Sequence, residues 1–372
     1  MKILISPDSF KSVCSSIEAA EIISDELSRL LPESKIISIP VGDGGEGTSN
    51  VLTKNINRIR HTVTTVDPLG RPIEAEFFEA VDSGSIYMDT AQSIGYELLS
   101  NNERKPIITS SYGLGRALDF IFEKFPGQNI FLSVGGTSTI DGGKDAATAM
   151  GFSFMDIEGK MLSRGGGSLP QLSTIQLPEN FSFLTRQKLT MIVDVKNFLT
   201  GKSGAAKIFG PQKGAKTREL EFFSIGLANL SRVISIIKRE NFVDQEGYGA
   251  AGGIVALFNS LLGWDFVSGS SFVLEYLEFD KYLQWADLVI TGEGCFDSQS
   301  INGKVTGEII SRAISTGKRG AVISGKESNE RFAFGDFPIY NIDSSLTPPP
   351  DNIDVFSKNL RDVCKKIVTN IL

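Results

Sequence analysis

The stretch Asn129-Ile130-Phe131-Leu132-Ser133-Val134-Gly135-Gly136-Thr137-Ser138-Thr139-Ile140-Asp141-Gly142-Gly143 decides the fold class. Ile130 to Val134 is a short apolar run of β-favouring residues and reads as a buried strand. Two glycines follow at once, then hydroxyl and β-branched residues, an aspartate and two more glycines. The alanine-rich run Lys144 to Met150 then starts a helix. A strand, a glycine turn and a helix start together make an anion cradle. Backbone N–H groups approach a phosphate closely where glycine carries no Cβ, and a helix N-terminus favours negative charge. Ser138, Thr139 and Asp141 add donors, acceptors and a candidate Mg²⁺ contact. A tight strand-to-helix connection with an N-cap explains one such loop equally well. The recurrence of similar loops along the chain favours the cradle.

At 372 residues the chain is long for a single core, and two domains is the natural expectation. Its 38 glycines cluster after apolar runs instead of forming a repeat, so they read as functional turns. The formal net charge of −7 argues against a nucleic-acid partner, which needs a basic face. Cys14, Cys295 and Cys364 are far apart without metal or redox spacing, which suits a reducing compartment. The opening Met1 to Asp8 is too short an apolar run for a signal peptide. No run reaches the ~18 apolar residues of a membrane helix, so the expectation is a cytoplasmic protein without a membrane partner. His61, the single histidine, sits in a polar stretch with no evident partner, against a His-centred triad or a His-ligated zinc site.

Strand–loop–helix units recur on both sides of the opening stretch. Lys2 to Ser6 reads as a buried strand followed by the loop Pro7-Asp8-Ser9-Phe10-Lys11-Ser12. Ser15 or Ser16 then caps a helix with Ile17, Ala20, Ile23, Leu27 and Leu30 on one face. Asp8 and Lys11 stand at a strand's carboxyl end, where open parallel sheets bind ligands; a surface ion pair is the bland alternative. Ser34 to Val41 reads as a second strand, ending in Gly42-Asp43-Gly44-Gly45-Glu46-Gly47-Thr48, with a helix from about Ser49. From Val63 the style changes: Ile73 to Ala80 and Ser85 to Asp89 alternate about a turn, as an antiparallel hairpin does. Asp67-Pro68-Leu69-Gly70 reads as the crossing into a second domain.

Thr109 caps a helix running through Leu118 and Ile121. Phe152 to Asp156 reads as a strand, and Arg164 with its glycine turn as a weak anion site. Lys188 to Val193 is a strand ending in Asp194, so Asp194 repeats the placement of Asp8. Gly201-Lys202-Ser203 imitates the end of a P-loop without its first glycine. Gly247 to Gly252 matches a dinucleotide pattern, but no strand precedes it, and Gly249 to Leu262 reads as a helix. Ala286 to Thr291 is a strand followed by Gly292-Glu293-Gly294-Cys295-Phe296-Asp297-Ser298-Gln299. A helix from Val305 to Ser315, a strand from Ala321 to Ser324, a linker at Pro348 to Pro350 and a terminal helix from Ile353 follow. The expected organisation is an α/β protein of two domains. Residues 1–66 with 287–372 form a discontinuous parallel-sheet domain, and residues 67–286 an inserted α/β domain with a mixed sheet.

Glycine turns thus follow strands at 42–47, 135–143, 201–204, 292–294 and 303. Carboxylates stand beside them at Asp8, Asp43, Glu46, Asp141, Asp194, Glu293 and Asp297, and lysines at Lys11, Lys202, Lys213 and Lys304. Phosphoryl transfer uses this inventory: donors for phosphates, cations for the moving charge, Mg²⁺ carboxylates and an acid to take a hydroxyl proton.

The chain resembles the glycerate kinase family of the bacterial type. The resemblance rests on PDSFK at 7–11, DGGEGT at 43–48, GLG with ALD at 113–119, GGTSTIDGG at 135–143, DVKNFLTGKSGAAKIFGPQKGA at 194–215, GYGAAGG at 247–253 and DLVITGEGCFDSQSINGK at 287–304. These segments run in the family's order from end to end. The resemblance implies transfer of the ATP γ-phosphate to D-glycerate with Mg²⁺, 2-phosphoglycerate being favoured over 3-phosphoglycerate. It implies a flavodoxin-like domain interrupted by a second α/β domain, an active site in the cleft between them, and a monomer or homodimer.

By the same resemblance Asp194 is the general base and Lys11 a second catalytic residue. Asp8, Ser9, Asp43, Gly44, Gly45, Glu46, Asp297 and Gln299 line the acid substrate. Gly135, Gly136, Thr137, Ser138, Thr139, Asp141, Gly142, Gly292, Glu293 and Gly294 line the nucleotide. Asp194 and Glu293 are the metal candidates. Four positions depart from the family pattern: Ser12 for glycine, Ile140 for a small polar residue, Phe198 for proline and Cys295 for arginine. An arginine at 295 could grip phosphate or carboxylate. A non-catalytic sensor of a sugar acid or nucleotide is the rival reading, and an ATP-independent sugar-acid enzyme a third. So many carboxylates around one anion site would repel an anionic ligand without a metal, which favours the enzyme.

Overall fold

A computed structural model describes residues 1–10, 13–301, 303–326, 337–342 and 353–371, and within these the side chains of 298, 299 and 371 are left aside. In chain order the described strands are β1 (Lys2–Pro7), β2 (Lys35–Ser38), β3 (Arg58–Val66), β4 (Pro72–Ala80), β5 (Ile86–Asp89), β6 (Asn129–Ser133), β7 (Ser153–Met155), β8 (Thr174–Gln176), β9 (Lys188–Val193), β10 (Asp265–Ser268), β11 (Leu288–Glu293), β12 (Arg319–Ser324) and β13 (Ile339–Asn341). The chain folds into two units. One comprises Met1–Asp43, Asn50–Leu52 and Gly269–Leu372; the other comprises Gly44–Ser49 and Thr53–Ser268.

The first unit carries a wholly parallel sheet in the order β13-β12-β11-β1-β2. Counted along this unit alone, that is the flavodoxin-like order 2-1-3-4-5. β1, β11 and β12 are buried along almost their whole length, as strands covered on both faces must be. Ser15 and Glu18 close a capping box on the helix Ser16–Leu30, and Ala19, Ile23 and Leu27 turn its apolar face inward. The terminal helix Ile353–Ile371 buries Phe356, Leu360, Val363, Cys364 and Ile367 at helical spacing. Phe356 meets Phe10 with ring centroids 5.1 Å apart. The expected linker at Pro348 to Pro350 lies outside the described residues.

The second unit carries a six-stranded mixed sheet in the order β10-β9-β6-β5-β4-β3. Its β5, β6, β9 and β10 run parallel, and β3, β4 and β5 are antiparallel neighbours. The β4–β5 hairpin therefore has a third member that the sequence pattern does not mark. β3 lies at the sheet edge with only Val63 and Thr65 buried, so it lacks a clean alternation of apolar residues. It pairs with β4 along its full length, which corrects the boundary expected after Val66 to Asp43–Gly44. The other boundary moves from 286 to Ser268, because the helices Gly269–Tyr276 and Phe279–Trp285 belong with the parallel sheet. His61, on β3, does have partners: Nε2 lies 2.8 Å from Glu79 Oε2 and the ring stacks on Phe77.

Three local expectations change. The helix after Thr109 begins at Tyr112, and Thr109 Oγ1 donates to Ser138 O at 2.9 Å instead of capping. The helix expected from Gly249 begins at Ile254, because Ala251, Gly252 and Gly253 all take positive φ. The helix Thr217–Lys238 is long and apolar enough, by length and composition, to cross a membrane, against the expectation of none. Serines and an asparagine interrupt its apolar residues, so no unbroken run is visible. Its Phe223, Leu227, Leu230, Val233 and Ile234 sit in the core of the second unit.

The helix Tyr112–Lys124 packs through two glycines. A Cβ on Gly113 would lie 1.9 Å from Val66 O, and one on Gly115 would lie 2.0 Å from Ala146 O. Alanine is the better helix former by about 1 kcal/mol, yet Gly115→Ala has nowhere to put its methyl group. The expected outcome is a loss of about 1–3 kcal/mol in unfolding free energy, read from the urea midpoint at unchanged slope.

Candidate active site

In the parallel-sheet unit the strand order reverses between β1 and β11, and ligands of open α/β sheets bind at carboxyl ends there. Pro7 pairs with Gly292, so Asp8 and Glu293 leave neighbouring strand ends together. Asp8 N donates to Gly292 O at 2.8 Å, and Asp8 Oδ1 accepts from Ser9 N at 2.7 Å. The chain beyond β2 continues along β1, with Val41 N donating to Pro7 O at 3.0 Å, and so delivers Asp43. Asp8, Asp43 and Glu293 are all buried. Lys304 Nζ donates to Glu293 Oε2 at 3.0 Å, whereas Glu293 Oε1 is buried with no hydrogen-bond partner among the described residues. Burial pushes the Glu293 carboxyl up, the Lys304 ammonium opposes it, and the Asp43 charge adds to the rise.

A side chain at Gly292 would strike Ile323 O at 2.4 Å, and Gly325 N donates to Glu293 O at 2.9 Å, so β12 holds this turn. Asp297 and Ser300 cap each other's backbone: Asp297 N donates to Ser300 Oγ at 3.0 Å and Ser300 N to Asp297 Oδ1 at 3.2 Å. Cys295 is half-buried, and burial followed by the Asp297 charge pushes its thiol up, so it offers no charge in place of an arginine. Lys11 lies outside the described residues, as does the side chain of Gln299.

In the mixed-sheet unit the parallel strands β5, β6 and β9 end side by side, at Asp89, Gly135 and Asp194. Gly135 is the tightest point. A Cβ there would sit 2.6 Å from Gly45 Cα and 2.7 Å from Asp194 Oδ2. Gly135 N donates to Gly44 O at 3.2 Å, and Gly44 itself, at φ +99°, leaves 3.0 Å between a Cβ and Ile192 O. Glu46 is exposed above Gly136, its Oε2 3.8 Å from the place a Cβ would take. Gly44, Gly45, Glu46, Gly135, Gly136 and half-buried Asp194 thus form one cluster. Asp89, which sequence reasoning missed, orients it: its carboxylate accepts from Gly47 N at 2.9 Å and from Ser49 N at 3.0 Å. Burial pushes the Asp89 carboxyl up against those bonds.

The rest of the glycine loop turns inward. Ser138 Oγ donates to Ile94 O at 3.0 Å. Asp141 Oδ2 accepts from Ser111 N and Ser111 Oγ, each at 2.8 Å, and Asp141 Oδ1 accepts from Gly143 N at 3.1 Å. Ser111 Oγ in turn accepts from Ala146 N at 2.9 Å. At the start of the helix Lys144–Ala149 the N–H groups of Gly143, Lys144 and Ala146 are therefore satisfied from within. This corrects the expectation that the helix start cradles an anion and that Asp141 faces a metal. Gly142 lies against the core, where a Cβ would be 2.4 Å from Leu230 Cδ2. Behind the loop, buried Lys144 pairs with Asp145 and donates to Ser163 O at 2.9 Å. Burial, then the charge of Asp145, pushes the Asp141 carboxyl up to about 7, with Lys144 opposing.

Lys213 is buried beneath the same loop, with Nζ donating to Thr137 Oγ1 at 3.0 Å and to Thr139 O at 2.8 Å. Thr139 Oγ1 is buried without a partner among the described residues. Burial brings the Lys213 ammonium down to about 8, while Asp141 and Asp194 hold it up. The sequence places this lysine beside the glycine turns; its contact with the 137–139 loop comes only from tertiary structure. Lys202, by contrast, is exposed, and Arg164 lies 3.6 Å above the Tyr112 ring.

Among the described residues, no three His, Cys, Asp or Glu side chains gather as a metal cage. A nucleotide-bound Mg²⁺ needs only one or two protein carboxylates, since waters and phosphates fill its remaining positions. The unpartnered Glu293 Oε1 is an oxygen donor of that kind.

Known proteins resemble the whole chain. The model of the glycerate kinase family matches residues 3–372. A glycerate kinase of Bacillus subtilis is 34% identical over 375 residues, covering 100% of this chain and 98% of the relative. A glycerate 2-kinase of Escherichia coli is 34% identical over 305 residues, 82% of this chain and 80% of the relative. A solved structure assigned as a glycerate kinase 2 from Salmonella typhimurium superposes with a TM-score of 0.80 at 30% identity, covering 100% of this chain and 98% of the other.

The Asp141 carboxyl, raised from 3.8 to about 7, gives a pH dependence of known sign. The folded chain keeps a proton that the unfolded chain releases, so this contribution is full below about pH 4 and is lost as pH rises through about 7. Between about pH 5 and about pH 8 the wild-type chain is expected to lose more stability than Asp141→Asn, as urea titrations at the two pH values would read.

Proposed function

The chain belongs to the glycerate kinase family, a family of phosphotransferases, and we propose that it moves the γ-phosphate of ATP to the 2-hydroxyl of D-glycerate with Asp194 as general base. The observation that carries this reading is the tight approach of Asp194 Oδ2 to Gly135 at adjoining strand ends, 2.7 Å from where a Cβ would be. A carboxylate beside a backbone without side chains can reach a bound hydroxyl, and it accepts the proton late in a loose transition state. The 2-position is favoured by the relative named as a glycerate 2-kinase, which spans most of this chain.

Each unit has its own part. Asp194, Gly135, Gly136 and Glu46 supply the base and the close backbone. Asp8, Asp43 and Glu293 supply oxygen donors, and Lys304 a cation beside Glu293. Glu293 would hold the Mg²⁺ that accompanies ATP, through its open Oε1; when bound, that ion neutralises phosphate charge. Asp194 then serves as base and not as metal ligand.

Incubation with Mg-ATP and D-glycerate is expected to release ADP, and phosphorus NMR of the product to show the phosphate on the 2-oxygen. Asp194→Asn is expected to keep the unfolding midpoint and lower kcat by about 10²–10⁴-fold. Turnover near that of the wild type in this variant would remove Asp194 as the base.

A further inference from the structure

We propose that Lys213 is the cation of the glycine loop: from beneath, it positions the 137–139 backbone and supplies the positive field that holds the anionic nucleotide near Asp194. The proposal rests on the kinase reading above and extends it to a residue outside the strand ends.

Two buried lysines in the same unit make the case by contrast. Lys144 is closed. It is paired to Asp145, and Ser163 O takes another of its protons. Lys213 is open. It is just as buried, at 4% exposure, yet among the described residues no carboxylate forms an ion pair with it. Among the described residues its bonds go to Thr137 Oγ1 and Thr139 O, two for three ammonium donors. The neighbouring Thr139 Oγ1 is also buried and, among the described residues, unpartnered. A buried cation balanced only through space, by Asp141 and Asp194, is costlier than one in a direct ion pair such as that of Lys144.

The backbone holds this arrangement firmly. Pro211 opens the turn Pro211–Lys213, and Gly214 closes it at φ +89°, where a Cβ would lie 2.0 Å from Arg104 O. The charged groups that reach Lys213 are Asp141 from the loop after β6 and Asp194 from the end of β9, both attractive. Asp145 and Lys144 act in turn on Asp141. In so dry a site a fixed charge acts strongly on a phosphate it does not touch. Lys213 is accordingly a positioning residue.

Calorimetric titration of the full chain with MgADP, at about pH 7 and about pH 9, tests this. The wild type is expected to bind about tenfold more weakly at the higher pH, as the ammonium, lowered to about 8, gives up its proton. Lys213→Met is expected to bind about tenfold more weakly at pH 7 and to lose the pH dependence, with the KM for ATP rising more than kcat falls. Lys213→Arg is expected to recover affinity at both pH values. Wild-type affinity that is flat with pH, or Lys213→Met binding like the wild type, overturns the proposal. If Lys213→Met does not fold, the wild-type pH series decides alone. A wild type that makes no ADP from Mg-ATP and D-glycerate overturns the kinase reading, and this inference with it. ADP formation together with unchanged binding in Lys213→Met overturns this inference only.

Discussion

Gly135 is squeezed between the α-carbon of Gly45 and the carboxylate of Asp194, with less than 3 Å left on either side for a side chain. Real Cβ atoms do not tolerate such contacts: on one side the Gly45 backbone cannot yield, and on the other the Asp194 side chain would have to move. The constraint makes three chain segments meet: the 44–45 turn, the end of β6 and the end of β9. Gly44 repeats it against Ile192, with a positive φ that disfavours other residues. A carboxylate, an exposed glutamate and bare backbone are thereby gathered without any one element being long enough to gather them.

Beneath that meeting point lies an unusual density of buried charge. Asp89, Asp141, Asp145, Lys144 and Lys213 are each almost fully buried. Breaking a buried pair by removing one partner costs about 3–5 kcal/mol, since the survivor is left uncompensated. The bonds of Asp141 to Ser111 and Gly143 therefore do structural work: they tie the starts of two helices to one loop. Lys213 ties the opposite side of the loop through Thr137 and Thr139. The loop is held from within, and only its glycine-rich start is left half-buried, at Gly136.

The first unit solves a similar problem differently. Its parallel order places the reversal point between β1 and β11, so Asp8 and Glu293 need only follow their strands to stand together. β12 props the turn through Gly292 and Gly325. Glu293 is held by Lys304 on one oxygen, and its other oxygen is buried without a hydrogen-bond partner among the described residues.

The sequence by itself determined the strands with continuous apolar runs, the helices with regular spacing, the discontinuous α/β plan and the family. Those features are local or are carried by long contiguous words such as GGTSTIDGG. It did not disclose β3, because an edge strand needs no apolar alternation. Nor did it disclose that Ser138 and Asp141 face inward while Gly136 does not, because the same loop letters serve either direction. Asp89 was invisible as a working residue for a related reason: it acts on a segment 40 positions away, through Ser49. Lys213, though counted among the nearby lysines, could not be set apart from exposed Lys202 until its bond to Thr137, 76 positions away, was formed. Only tertiary packing decides which polar groups find partners inside and which are left open, since hydrogen-bond satisfaction is a property of the folded neighbourhood and not of the chain.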